Sequence, residues 1–199
     1  MEPLTTTVIV NLTDHPESDP RTSWILSLDA LDMTVEDTMG VLESLTWLGG
    51  GEYPAMSSLR SRTGVYNWGA SSSSSQFVLD LAASGFAGMG VVAIDAGVRA
   101  AFRKLRDRAR GDDWGGVISE EGALAVAKSR IATQYGVEQD DLVVRRAQTD
   151  AVDHSHEFEF DHSDGRSFGA VVGIFKDSPS CMRIWREAPA DTSGAQRQA

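Results

Sequence analysis

Hydrophobic positions alternate with polar ones over Thr5–Leu12 (TTTVIVNL) and again over Ser23–Asp29 (SWILSLD), the period-two pattern of half-buried strands. Between them TDHPESDPRT, with two prolines and several turn formers, predicts a loop. The period changes over Thr34–Leu48, where Val35, Met39, Leu42 and Leu45 recur at helical spacing. Thr34 and Asp37 there resemble a capping box with Asp in place of Glu, and Gly49–Gly51 stops the helix. Leu59–Trp68 predicts a third strand, interrupted by Gly64.

The most strongly patterned segment is Gln76–Arg110, which predicts one long amphipathic helix capped by Ser74 or Ser75 of the polar run GASSSSSQ. At 100° per residue, Ala87, Val91, Ile94, Val98, Ala101, Phe102, Leu105 and Ala109 share one arc. Arg99, Arg103, Arg106 and Arg110 share another, a basic ridge. DDWGG at 112–116 marks a domain boundary. Beyond it SEEGALAVAKSRIATQYG predicts a helix that Ser119 caps and Gly136 closes, with Glu120 and Glu121 at the positive end of its dipole. Its apolar stripe is Leu124, Ala127, Ile131 and Tyr135.

Strands are predicted over 142–148, 152–160, 166–175 and 181–187, with SDG at 163–165 and DSPS at 177–180 as turns. The expected fold is therefore α+β in two small domains. Residues 1–111 would hold N-terminal strands and a long amphipathic helix, and 117–188 a helix packed on a four-stranded antiparallel sheet. Residues 189–199 have nothing to bury and are expected to be a disordered tail.

Charge narrows the partners. The net charge of −11 argues against a general nucleic-acid binder, because phosphate neutralisation needs clustered Lys and Arg. The charge is uneven: residues 1–70 carry 3 basic and 10 acidic side chains, 71–110 carry 6 and 3, and 111–199 carry 9 and 16. The single cysteine, Cys181, excludes a disulfide framework and reads as a small core hydrophobe in a reducing compartment. MEPLTTTVIV lacks a basic leader followed by a long apolar core, so a cytoplasmic protein is expected.

EEGALAVAKSRIATQYGV followed by DDLVV and FEFDHSDGRSFGAVV resembles small α+β domains of the PepSY or cystatin-like type, over about 70 residues of the second half. VYNWGASSSSSQFVLDLAASG with AIDAGVRAAFRKL resembles actinobacterial proteins like the effector-associated components of bacterial conflict systems. That resemblance implies an adaptor or regulatory protein and supplies no functional residues.

Candidate chemistry is sparse. The arginine ridge could meet an acidic partner or anionic lipid, although cations in the last turns of a helix also complement its dipole. Gly85 and Gly88 suggest a helix surface approached by another backbone or by a second copy, or a core helix with tight neighbours. The uncharged run Leu81–Ile94 is shorter than the roughly 20 residues that span a bilayer. GFAGMG at 85–90 matches a glycine-rich phosphate loop only superficially, because it is expected within the long helix and not between a strand and a helix. In DHSHEFEFDHSDG, strand parity puts His154, His156, Phe158, Phe160 and His162 on one face and Asp153, Ser155, Glu157, Glu159 and Asp161 on the other. Only His154 and His156 then remain as a metal-ligand pair.

The expected function is a non-enzymatic protein-binding adaptor or regulatory component, with no cofactor. Its partner-binding residues would be Arg99, Arg103, Arg106, Arg110, Gly85 and Gly88, holding a protein partner or a second copy. Peripheral membrane association through the basic helix ranks second, and a small metal-dependent hydrolase using His154 and His156 third.

Overall fold

The computed structural model describes residues 5–14, 19–29, 31–67, 71–86, 88–109, 118–151 and 154–187. Among them are three α-helices and eight strands, an α+β protein. The chain divides into two compact units, Met1–Gly116 with Phe175–Ser178, and Val117–Ile174 with Pro179–Ala199. Ala87, Arg110, Asp153, the DDWGG stretch and the tail at 189–199 lie outside the described residues.

In the first unit β1 (Thr5–Thr13) pairs antiparallel with β2 (Thr22–Leu28), and β3 (Ser57–Asn67) with β4 (Ser71–Ala82). β4 runs parallel to β1, which gives the order β3-β4-β1-β2. Alternation selects one buried face: Val8, Val10 and Leu12 of β1, Trp24, Leu26 and Leu28 of β2, and Phe77, Leu79 and Leu81 of β4. Leu42 of α1 (Val35–Glu43) and Ile94, Val98, Ala101 and Leu105 of α2 (Val91–Arg106) complete this core. Each such Leu or Ile contributes about 1.5–3 kcal/mol by leaving water. Thr34 caps α1 as its sequence predicts, accepting from the Asp37 amide at 3.0 Å.

One element differs from the sequence reading. The helix expected over 76–110 begins only at Val91, and the serine run with Gln76–Ala82 is strand β4. Serine is a poor strand former, but pairing with β3 along the whole run, and with β1 from Ser74 onward, overrides that local preference. Phe77, Leu79 and Leu81 are a period-two set that reads as helical only when joined to the true helix downstream. Gly85 and Gly88 therefore lie off the helix, in the 3-10 turn Ala83–Phe86 and just after it. GFAGMG accordingly lies between strand β4 and helix α2, not within a helix as expected.

In the second unit α3 (Glu120–Tyr135) begins at the Ser119 cap, whose hydroxyl accepts from the Gly122 amide, and ends at left-handed Gly136. β5 (Val143–Asp150), β6 (Ser155–Asp161), β7 (Ser167–Phe175) and β8 (Ser178–Glu187) follow in the order β8-β7-β6-β5. Ala123, Ala127, Ile131 and Tyr135 of α3 bury against Phe158, Phe160, Phe168, Ala170 and Val172. The last hairpin turns on Lys176 and Asp177, both at positive φ, earlier than the turn predicted at 177–180, so Ser178–Ser180 joins β8.

Candidate interaction site

The basic ridge is placed as three of its four arginines. Arg99, Arg103 and Arg106 are exposed on α2, and Arg110 lies outside the described residues. Arg99 Nε donates to Asp95 Oδ2 at 2.8 Å, while Asp95 Oδ1 accepts from the indole of buried Trp24 at 2.6 Å. The first arginine of the ridge thus braces a link between α2 and β2. Arg103, Lys104 and Arg106 occupy the last turn, where cations complement the carbonyl end of the helix.

Gly85 is approached closely, by its own chain. A Cβ there would fall 2.9 Å from Ala55 Cα, and a Cβ on Gly49 would fall 2.7 Å from the Gly85 carbonyl oxygen. Gly88 has open space around it and a φ of +87°, a conformation that favours glycine.

The histidines separate. His154 sits exposed in the turn before β6 at φ 48°, out of the strand parity expected of it. His156 is buried, its Nε2 3.1 Å from the Ile118 carbonyl oxygen and its Nδ1 3.1 Å from Thr149 Oγ1. A carbonyl only accepts, so Nε2 donates to it, and Nδ1 is held against the Thr149 hydroxyl. Both nitrogens are thereby used inside the fold, leaving none for a metal. Among the described residues no group of three or more His, Cys, Asp or Glu is arranged to hold a metal ion.

His162 and Asp164 belong to the β6–β7 turn. The Asp164 carboxylate accepts from Arg166 Nε at 2.7 Å and from the Arg166 amide at 3.0 Å, and lies 2.8 Å from His162 Nδ1. The Arg166 guanidinium holds the Asp164 carboxyl well below the usual carboxylate range, with the Arg166 amide and His162 adding to it. These contacts lock a hairpin and gather no convergent acid–base pair. Burial pushes the Cys181 thiol up to about 12, which suits a core side chain and not a nucleophile.

A different feature stands out on the first unit. The segment Thr46–Ala55 is closed at its base by the Ala55 amide donating to the Thr46 carbonyl at 2.7 Å, the geometry of an Ω-loop. Gly49 and Ala55 seat this base on Gly85, Leu48 packs on Gly97 of α2, and the Met56 carbonyl accepts from the Ala82 amide at 2.9 Å. Gly50 turns the chain at φ +65°. On this anchored frame Trp47 is 55% exposed, Tyr53 76% and Met56, at the exit, 74%. Scattered single exposed apolar residues are ordinary, whereas two aromatics on one clamped loop with a methionine at its exit are not. Trp47 ends the 3-10 turn Ser44–Trp47 that continues α1, so the helix predicted up to Leu48 holds here, and Gly49–Gly51 predicts only its stop. The available signal was WLGGGEYPAM itself, aromatics and a methionine set among turn formers.

Comparisons with family models, with curated proteins and with solved structures give no match to this chain.

Proposed function

We propose that the protein is a non-enzymatic binding module, an adaptor or regulatory component that holds a protein partner through the Thr46–Ala55 loop. The observation that carries this reading is the exposure of Trp47, Tyr53 and Met56 on a loop whose base is fixed. Tyr, Trp and Met are enriched at protein interfaces, and the two aromatics bury much area at little loss of side-chain freedom. A clamped base lowers the ordering cost of association further.

The competing readings draw less support. A hydrolase built on His154 and His156 loses His156, whose two nitrogens are engaged within the fold. For peripheral membrane association through the ridge, Arg99 is already paired with Asp95, and Arg103, Lys104 and Arg106 complement the carbonyl end of α2. Trp47, Tyr53 and Met56 sit away from the arginine ridge in sequence, and on α2 itself Val92 is the one large apolar side chain exposed among the described residues. A cytoplasmic adaptor remains the simplest assignment.

The test is site-specific photo-crosslinking in the native host. A photoreactive residue replacing Tyr53 should give a discrete protein adduct, and the same residue replacing exposed Ala125 on α3 should not. Equal labelling at both positions, or none at position 53, would sink the reading.

A further inference from the structure

We infer that the partner held by the Thr46–Ala55 loop adds an extended strand to the free edge of β3, with acidic side chains beside Arg60 and Arg62. This rests on the reading of that loop as the docking element and names the form and chemistry of its occupant. β3 leaves the loop at Met56 and is the outer strand of its sheet, paired among the described residues with β4 alone. The Met56 carbonyl accepts from the Ala82 amide, and the register runs unbroken from Ser57 opposite Leu81 to Asn67 opposite Ser71. Antiparallel alternation therefore turns the backbone groups of Ser58, Arg60 and Arg62 toward β4, and those of Ser57, Leu59, Ser61 and Thr63 outward. Their amides and carbonyls form an open row that an extended segment completes.

Side-chain parity sets the chemistry of that segment. Leu59 lies opposite core residue Leu79 and is half-buried against the core, so on this face the added strand meets an apolar neighbour. Met56, Ser58, Arg60 and Arg62 share the other face, opposite the one that α1 and α2 cover. From Ser57 to Asn67 there is no Asp or Glu, and Asp80, the carboxylate of β4, already accepts from Arg60 and Asn11. Arg62 is exposed and enters no ion pair among the described residues. A second copy fits poorly: two-fold pairing centred on Ser61 sets Arg60 against Arg62, and centring it on either arginine sets that arginine against itself. β5, the outer strand of the second unit, shows a blunted edge by contrast. A bulge between Val144 and Arg146 breaks its ladder, and its arginines pair with Glu159 and Asp161. The ladder of β3 has no such break.

The test is selection of short random peptides, displayed on phage, against the full chain. Selected peptides should alternate apolar residues with Asp or Glu, and lose affinity with added salt. Each is then remade with N-methyl groups on one or the other set of alternate residues. One set should weaken binding by on the order of tenfold and the other leave it intact, because only one set of amides faces β3. Ser61→Pro removes an outward amide and no bond to β4, and Arg62→Glu reverses the unpaired charge; each should weaken binding by on the order of tenfold. Binding that is lost in Tyr53→Ser but tolerates Ser61→Pro and both N-methyl sets would overturn strand addition and leave the docking loop. Binding that follows the strand pattern yet ignores Tyr53→Ser would overturn the loop as the docking element. Strand-patterned peptides that lack acids or ignore Arg62→Glu would overturn the acidic occupant, and no selected peptide would overturn both readings. Should Ser61→Pro unfold the chain, the N-methyl comparison decides the same question on the unaltered protein.

Discussion

Ala55 rests directly on Gly85, with the Ala55 Cα only 2.9 Å from where a Cβ on residue 85 would sit. This contact fixes the base of the Thr46–Ala55 loop to the turn after β4. Gly85→Ala should therefore destabilise the first unit by about 1–3 kcal/mol, the usual penalty for overpacking where backbone must give. Gly40 provides the opposite case. It lies inside α1 with nothing within 4 Å of an added Cβ. Gly40→Ala should stabilise by about 0.5–1 kcal/mol through helix propensity. Urea denaturation of both variants checks the signs, and a neutral Gly85→Ala would mean that the loop base is not packed as described.

The strand–helix boundary after the serine run shows what could be read in the chain and what could not. Caps and stops are written locally: Thr34, Ser119 and Gly136 act as their residue types demand, because a side-chain acceptor or a left-handed φ needs only nearby backbone. β4 is not written locally. The five serines pair with β3 across a hairpin, and from Ser74 onward β4 also pairs with β1, a partner far away in sequence that no local pattern announces. The same limit hid the candidate site. WLGGGEYPAM advertises a loop, but only the Ala55–Thr46 hydrogen bond and the seat on Gly85 show that the loop is clamped. His156 was legible as inward-facing from strand parity, and its partners Ile118 and Thr149 were not.

Those partners make His156 structural. His156→Leu would leave the buried Ile118 carbonyl without its ring contact, while the hydroxyl of exposed Thr149 turns to water, at a cost of about 1–3 kcal/mol for the buried acceptor. His154→Ala, at an exposed turn position, should stay within roughly 0.5 kcal/mol of wild type. Excess chelator should leave the melting temperature unchanged. A clear drop in melting temperature with chelator would instead indicate a metal bound through these histidines.

The β6–β7 turn carries a pH dependence of defined sign. Asp164 has a folded pKa below its unfolded value of about 3.9. A depressed carboxylate contributes stability that is fully present above the unfolded pKa and is lost as pH falls through the folded one. Asp164→Asn should therefore lower stability by a constant amount near neutral pH. The gap to wild type should close as pH falls below about 3.9, and added salt should narrow it because the carboxylate is solvent-exposed. A gap that persists in acid would place the stabilisation in something other than the ionised carboxylate.

Gly169 of β7 and Trp185 of β8 form the tightest side-chain contact of this kind in the second unit. A Cβ on residue 169 would overlap the indole ring, whose outer atom Cη2 lies 2.6 Å from it, so Gly169 supplies the floor on which Trp185 lies. The indole also carries the Arg183 guanidinium, 4.6 Å from its ring centroid, so displacing the ring disturbs a cation–π contact as well. Gly169→Ala should cost about 1–3 kcal/mol, because a bulky ring has to leave its place. Trp185→Ala should cost about 3 kcal/mol or somewhat less, since the side chain is only half-buried. The two changes should not add: once the indole is gone, the extra methyl of Gly169→Ala meets open space and its penalty largely disappears. A double-mutant cycle read by chemical denaturation should give a coupling of about 0.5–3 kcal/mol. Additive effects would mean that the indole does not lie across Gly169 in solution.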